Sequence, residues 1–299
     1  MKKWGFLLIF SICLGVTAFK IVPFFQEEKG VIGNANNENG VVEGKFSSGN
    51  ITKVEIPVEQ IFQGNLLLVN NKYPVHNESI KSDVINLNAR KELVKGYRLF
   101  NSETYLSEDI ARKFSDMVLD AEEDEVSSFL ITSGFRGFKE QSKLYKEMGS
   151  IRALPAGYSE HNLGLSLDVG STQGKMEVAP EGEWIAENAW KYGFTLRYPK
   201  DKTDITGIMN EPWHIRYVGL PHSAIMKEKN YVLEEYLDYL KEEKHISATI
   251  NGQKYEVIYY PVTENTTINV PANLRFEVSG NNTDGVVVTL FPDNTYKLR

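Results

Sequence analysis

Between Ile61 and Leu240 the spacing of apolar residues changes repeatedly between helical and extended periods, and after Glu243 it settles into short strand-type runs. This change of period limits the possible folds more than any other feature of the chain. Behind Ser107, a suitable N-cap, Ile110, Phe114, Val118 and Ala121 recur at helical spacing, and the next apolar segment, Phe129 to Thr132, is short and strand-like. Further helices are predicted over 138–148, over 182–192 with Gly193 closing it, and over a long 223–243. Strands are predicted over 194–198 and 213–218. Beyond residue 243 the runs KYEVIYYPV, TTINVP, LRFEVSG and GVVVTLFP are separated by Asn, Gly, Pro and Thr turns. The expectation is an α+β protein, with a mixed domain over 61–243 and a small β-rich module over 244–299.

The start of the chain follows different rules. Lys2 and Lys3 precede an apolar run from Trp4 to Phe19, and Lys20 with a second apolar patch, Ile21 to Phe25, extends it to the roughly 20 residues a bilayer requires. No small-x-small cleavage site follows Phe19, so a retained single-pass anchor over 1–25 is favoured over a cleaved signal. The lysines would stay inside and the remainder would be exported. Residues 26–60, rich at first in Gly, Asn, Ser and Glu, read as a flexible linker.

Charge and cysteine content remove whole classes of function. Lys and Arg total 33 against 40 for Asp and Glu, a net charge of -7, which lacks the basic footprint of a nucleic-acid binder. The single cysteine, Cys13, permits no internal disulfide and no cysteine metal cluster, so any metal must be held by His, Asp and Glu.

Of the five histidines, His161 and His214 stand beside acids in an informative way. His161 is followed seven residues later by Asp168, at the end of a run in which Leu163, Leu165 and Leu167 share one face and Asp168 points away from it. In Glu211-Pro212-Trp213-His214, Pro212 enforces an extended backbone leading into the strand, with an acid three residues before the histidine. Two histidines and one carboxylate form a three-ligand set that leaves a fourth position for water on a catalytic Zn²⁺, with Glu211 free as a base. Each motif alone also fits an ordinary strand end, with Asp168 capping a turn at Gly170 and Glu211 opening a turn before Pro212. His76 and His222 are assigned to structure, and His245 to the solvent-facing surface. The tail is expected to lie outside any metal site, because His245 is its only histidine.

The stretches SGFRGFKEQSKLY (133–145), LPAGYSEHNLGLSLDVG (154–170) and EPWHIRYVG (211–219), in this order and spacing, resemble the signature blocks of VanY-type zinc D-alanyl-D-alanine carboxypeptidases of the LAS metallopeptidase family. The resemblance implies a small antiparallel sheet carrying one zinc ion per chain, with His161, Asp168 and His214 as ligands and Glu211 as general base. It also implies that Arg136 stabilises the oxyanion, and that Gln141, Ser159 and Trp213 line the site of the terminal D-alanine. The implied substrate is a peptidoglycan precursor pentapeptide ending in D-Ala-D-Ala, cut on the extracellular face of a bacterial membrane, which contributes to vancomycin resistance. No protein partner is implied.

Neighbouring activities share these residues. An L,D-carboxypeptidase, a wall endopeptidase or a D,D-dipeptidase would use the same zinc set, although an exported location argues against the last, whose dipeptide pool is cytoplasmic. A metal-dead wall-binding module is opposed by intact Arg136, His161, Asp168, Glu211 and His214. A serine penicillin-binding enzyme is excluded, since no Ser is followed by Lys three residues later and K-T-G is missing. Turnover should therefore be insensitive to penicillin, which traps a serine nucleophile. Labelled penicillin that acylated a serine of the chain would overturn this reading.

Overall fold

The computed structural model describes residues 25–29, 51–150 and 152–292. Two strands come first, β1 (Phe25–Lys29) and β2 (Ile51–Ile56), followed by β3 (Val84–Asn86), β4 (Tyr97–Leu99) and β5 (Tyr105–Ser107). Helix α1 (Glu108–Glu123), strand β6 (Phe129–Ser133) and helix α2 (Phe138–Met148) come next. The middle of the chain forms β7 (Ser166–Ser171), α3 (Pro180–Asn188), β8 (Phe194–Tyr198), the single-turn α4 (Thr203–Thr206) and β9 (Glu211–Tyr217). Helices α5 (His222–Lys229) and α6 (Leu233–Glu243) lead into β10 (His245–Ile250), β11 (Gln253–Pro261), β12 (Thr266–Pro271), β13 (Phe276–Gly280) and β14 (Gly285–Leu290). The α+β class expected from the sequence is the observed one.

One five-stranded sheet runs in the order β4-β6-β7-β9-β8, antiparallel except between β4 and β6. Strand alternation gives it two chemically different faces. Phe129, Ile131, Leu167, Val169, Phe194 and Ile215 point to one side and pack with Ile110, Phe114, Met117, Val118 and Ala121 of α1 in the main core. Leu163 and Leu165, just before β7, join the same core, as their spacing predicts. Helix α1 starts where expected because the Ser107 hydroxyl accepts from Ile110 N–H at 3.4 Å, while Glu108 and Asp109 occupy the first turn, where the helix dipole favours acids.

A second sheet, in the order β1-β10-β11-β14-β13, contains three of the four predicted tail runs, and the fourth, β12, pairs with β2. Leu233, Tyr236, Leu237 and Leu240 of α6 share a core with Ile246, Ala248, Val257, Tyr259 and Val287 of this sheet. β1 and β2 fall within or beside the segment read as linker. Their strand character is set by pairing with β10 and β12, some two hundred residues later, and local composition carries no sign of that. The apolar run from Trp4 to Phe19 lies outside the described residues. Among the described residues no helix is long and apolar enough to cross a membrane.

Two helix boundaries differ from the sequence reading. The helix expected over 182–192 begins earlier, with Pro180 in its first turn, where its missing N–H costs nothing, and it tightens after Asn188 into a 3-10 turn that Gly193 closes at φ 84°. The long helix expected over 223–243 is two. Asn230 takes the left-handed conformation (φ 52°, ψ 46°) that ends α5, and α6 restarts with the Glu235 carboxylate accepting from Val232 N–H at 3.0 Å.

His222, at the start of α5, ties the two halves together. Its Nδ1 lies 2.7 Å from the Tyr236 hydroxyl and its Nε2 lies 2.9 Å from the Thr289 hydroxyl, and burial pushes its pKa down to about 3. The unfolded chain therefore takes up a proton that the folded chain refuses. The contribution of His222 to stability is complete above about pH 6.5 and is lost at about 1.4 kcal/mol per pH unit down to about pH 3. His222→Gln should consequently show a shallower fall of urea-unfolding free energy between these pH values than the unsubstituted protein, and equal slopes would refute the assignment.

Candidate active site

The second face of the β4-β6-β7-β9-β8 sheet is polar. From β7 it presents Ser166 and Asp168, from β9 His214 and Arg216, and from β8 Arg197. Asp168 pairs directly with His214 across β7 and β9, and with Ser133 across β6 and β7, which places these residues in one row. His161 comes from the 3-10 turn Glu160–Asn162, whose start is capped by the Ser159 hydroxyl accepting from His161 N–H at 3.4 Å.

This arrangement brings His161, Asp168 and His214 together, with one ligand atom from each lying within 4.8 Å of the others. His161 Nδ1 lies 2.6 Å from the Gly134 carbonyl, which can only accept, so Nδ1 carries the proton and the Nε2 lone pair faces Asp168 Oδ2 at 3.3 Å. His214 is flanked by carboxylates on both sides, with Nε2 3.3 Å from Glu160 Oε2 and Nδ1 3.0 Å from Asp168 Oδ1. A neutral imidazole has only one N–H to give to two such acceptors. The set therefore suits a cation, either a second proton on His214 or a metal ion.

Electrostatics agree with the geometry. Burial opposes the charge on Asp168, but the His161 and His214 imidazoles outweigh it and hold the carboxyl well below the usual carboxylate range. Burial also opposes charge on His214, yet its hydrogen bonds to Asp168 and Glu160 raise it to about 9. His161 is pushed down by burial against the pull of Asp168. Glu211, opening β9, is raised by burial, with His214 pulling it the other way and Asp168 adding to the rise.

The remaining candidates surround this centre to different degrees. Arg136 is clipped to the Glu160–Asn162 turn by its backbone, its N–H donating to His161 O at 3.0 Å and its carbonyl accepting from Asn162 Nδ2 at 2.6 Å. Its guanidinium feels Asp168, Glu140 and Glu211, and its Nε is buried without a protein partner. Gln141 is buried in α2, donating to Leu154 O at 2.7 Å and leaving Oε1 unpaired. Ser159 serves as the cap, and Trp213 is half-buried against the main core. The other histidines are elsewhere: His76 stacks on Phe62, His222 bridges α6 and β14, and His245 is half-buried against Glu256 at 2.7 Å.

Sequence reasoning missed the groups behind these three residues. Glu160 is fully buried, and its carboxylate is held by Arg197 and Arg216, whose charges outweigh the burial that would otherwise raise it. Arg197 also forms a two-pronged ion pair with Glu234 of α6 at 2.8 Å for both contacts. One signal was available: Arg216 stands two residues after His214 in a strand and so shares its face.

The VanY family model, described as D-alanyl-D-alanine carboxypeptidase, matches residues 103–220, the segment that contains every residue of this centre. A D-alanyl-D-alanine carboxypeptidase from Enterococcus faecium is 61% identical over 298 residues, covering 99% of this chain and 98% of that protein. The chain belongs to the VanY-type D-alanyl-D-alanine carboxypeptidases. A solved vancomycin-resistance D,D-dipeptidase, VanXYg, in complex with a D-Ala-D-Ala phosphinate analogue, superposes with a TM-score of 0.71 at 32% identity, covering 81% of this chain and all of that one. The LD-carboxypeptidase LdcB is similar at a TM-score of 0.50 and 28% identity, covering 57% of this chain and 84% of that one. As a VanY-type enzyme the protein is a carboxypeptidase and a hydrolase, related to the enzymes of vancomycin resistance.

Gly134 provides a test of how tightly the centre is built. A Cβ there would lie 2.1 Å from Tyr105 O, where β5 crosses the residues following β6, so the Gly134 carbonyl that orients His161 can be in place only if residue 134 has no side chain. Gly134→Ala should fold but lower the D-alanine release rate by about 10- to 100-fold, as sub-ångström misplacement of reacting groups does. Wild-type turnover in that variant would show that the His161 contact is dispensable.

Proposed function

We propose that the enzyme removes the terminal D-alanine from peptidoglycan precursor pentapeptides ending in D-Ala-D-Ala, using one zinc ion held by His161, Asp168 and His214, and so contributes to glycopeptide resistance. The observation that carries this reading is the convergence of these three donors within 4.8 Å, with two imidazole nitrogens turned toward one carboxylate, in a chain 61% identical over nearly its whole length to a D-alanyl-D-alanine carboxypeptidase. Two neutral imidazoles and one carboxylate match the donor preference of a catalytic zinc with an open position. When bound there, zinc supplies Lewis acidity and lowers the pKa of a coordinated water from 15.7 to about 7.

The protein's own residues do the rest. Glu211, made a stronger base by burial, accepts the proton of the attacking water and passes it to the departing amine of D-alanine. Arg136, a guanidinium beside both Asp168 and Glu211 with a buried N–H still unpaired, faces the negative charge that develops on the scissile carbonyl oxygen. Gln141, with a free amide oxygen, Ser159 and Trp213 line the site of the terminal D-alanine. The apolar segment that begins at Trp4 and ends before β1 acts as a retained anchor, with residues 61–243 as catalytic domain and 244–299 as β-rich module on the extracellular face.

Three substitutions separate the roles. His214→Ala leaves two protein ligands and should lose zinc and activity together. Glu211→Gln keeps shape but cannot take the proton, so zinc should stay while turnover falls by about 100- to 10,000-fold. Arg136→Ala should likewise keep zinc, with a loss of about 100- to 1,000-fold. Metal content and D-alanine release from muramyl pentapeptide, with and without chelator, measure all of these. A Glu211→Gln protein that lost its zinc would move that residue into the ligand set, and preferential cleavage of the tetrapeptide would make the enzyme an L,D-carboxypeptidase.

A further inference from the structure

We propose that Glu160 is a positioning residue of the metal centre, holding the His214 imidazole in the tautomer and rotation that turn Nδ1 toward His161 and Asp168, and that Arg197, Arg216 and Glu234 lock Glu160 in place. The proposal rests on the reading of His161, Asp168 and His214 as a zinc site. It begins with the division of labour between the two oxygens of Glu160. Oε1 accepts from Arg197 Nε at 2.9 Å and from Arg216 Nη1 at 2.8 Å. Oε2 takes the Ser166 hydroxyl at 3.2 Å and His214 Nε2 at 3.3 Å. A carboxylate between two guanidinium groups is an acceptor only, so the proton of the shared contact belongs to His214 Nε2. The Nδ1 lone pair is left for the ligand cluster, where Asp168 Oδ1 lies 3.0 Å away.

Neither arginine is free to move with the carboxylate. The far edge of Arg197 is engaged by both oxygens of Glu234, at 2.8 Å each, and Arg216 Nη2 donates to the carbonyls of Asn65 and Leu67 at 3.0 Å each. The side chains of Glu160, Arg197 and Arg216 are all 0% exposed, so each is held by protein partners away from bulk solvent. Glu160 and Glu234 balance Arg197 and Arg216 in charge, and Glu160 Oε2 gives His214 Nε2 an acceptor at a fixed position. Hydrogen bonds that a ligand histidine donates to a carboxylate in this way are worth about 10- to 100-fold in metal affinity.

A residue that merely neutralised two arginines would leave different traces. Glu160→Asp keeps the negative charge for Arg197 and Arg216 but withdraws the oxygen from His214 by one methylene, and Glu160→Gln keeps the length but not the charge. In the full-length protein, zinc affinity measured by competition with a chromophoric chelator should fall by about 10- to 100-fold in both, and by less in Glu234→Gln, which loosens Arg197 alone. A folded Glu160→Asp protein with zinc affinity within about twofold of wild type would overturn the proposal, since pure charge compensation predicts that result. Should both Glu160 variants fail to fold, ¹⁵N NMR of the unsubstituted, cadmium-loaded protein decides. Coupling of cadmium to His214 Nδ1, with the proton on Nε2, is expected, and coupling to Nε2 would overturn the proposal. A wild-type protein that bound neither zinc nor cadmium would instead bring down the metal reading itself.

Discussion

The Glu160 carboxylate, buried and gripped by Arg197 and Arg216, is the interaction from which the rest of the active site takes its position. An ion removed from water costs several kcal/mol, and removing one member of a buried pair typically destabilises by about 3 to 5 kcal/mol. Such a cluster tolerates only an arrangement in which every partner is present. Because Glu160 is bonded to His214 and precedes His161, correct formation of the ion cluster sets both histidines at once.

This cluster has room because the sheet keeps its two faces apart. The side carrying Leu167, Val169 and Ile215 is a close-packed apolar layer against α1. The opposite side of the same strands, one residue out of phase, carries Ser166, Asp168, His214 and Arg216. A slip of β9 by one residue against β7 would turn His214 and Arg216 into the apolar layer while Asp168 stayed on the polar face, which would bury two polar side chains without partners. The apolar face therefore fixes the pairing of Asp168 with His214.

Periodicity and short motifs made much of this legible in the sequence. Helix α1 with its Ser107 cap, strands β6 and β8, helix α2 and the tail strands all rest on local rules that operate within a few residues. The three blocks around Arg136, His161–Asp168 and Glu211–His214 were visible because the chemistry needs particular residue types close together. What could not be read depends on partners distant in the chain: the pairing of β1 and β2 with β10 and β12, and the ion pairs of Glu160 with Arg197 and Arg216. A glutamate next to a histidine, or an arginine in a strand, has the same local signature whether it is buried or solvated. The break at Asn230 was a misjudged competition: the helical period of the flanking residues obscured a residue that readily takes the left-handed conformation.

The position of Glu234 shows why the β-rich part of the chain matters to the cluster of His161, Asp168 and His214, which lies outside it. Glu234 lies in the first turn of α6 and holds the outer edge of Arg197. The apolar face of α6 is buried against β10, β11 and β14, so the height and rotation of the helix, and with them the reach of Glu234, are set by that sheet. The sheet in turn is bordered by β1 from the start of the chain, and Asn282, in the turn between β13 and β14, donates to the carbonyls of Leu68 and Pro74, beside the Leu67 carbonyl that Arg216 engages. Two routes, one through α6 and one through the 65–74 segment, thus connect the C-terminal strands to the two arginines. Because the first and last described strands belong to one sheet, the geometry of the His161, Asp168 and His214 cluster is a property of nearly the whole described chain.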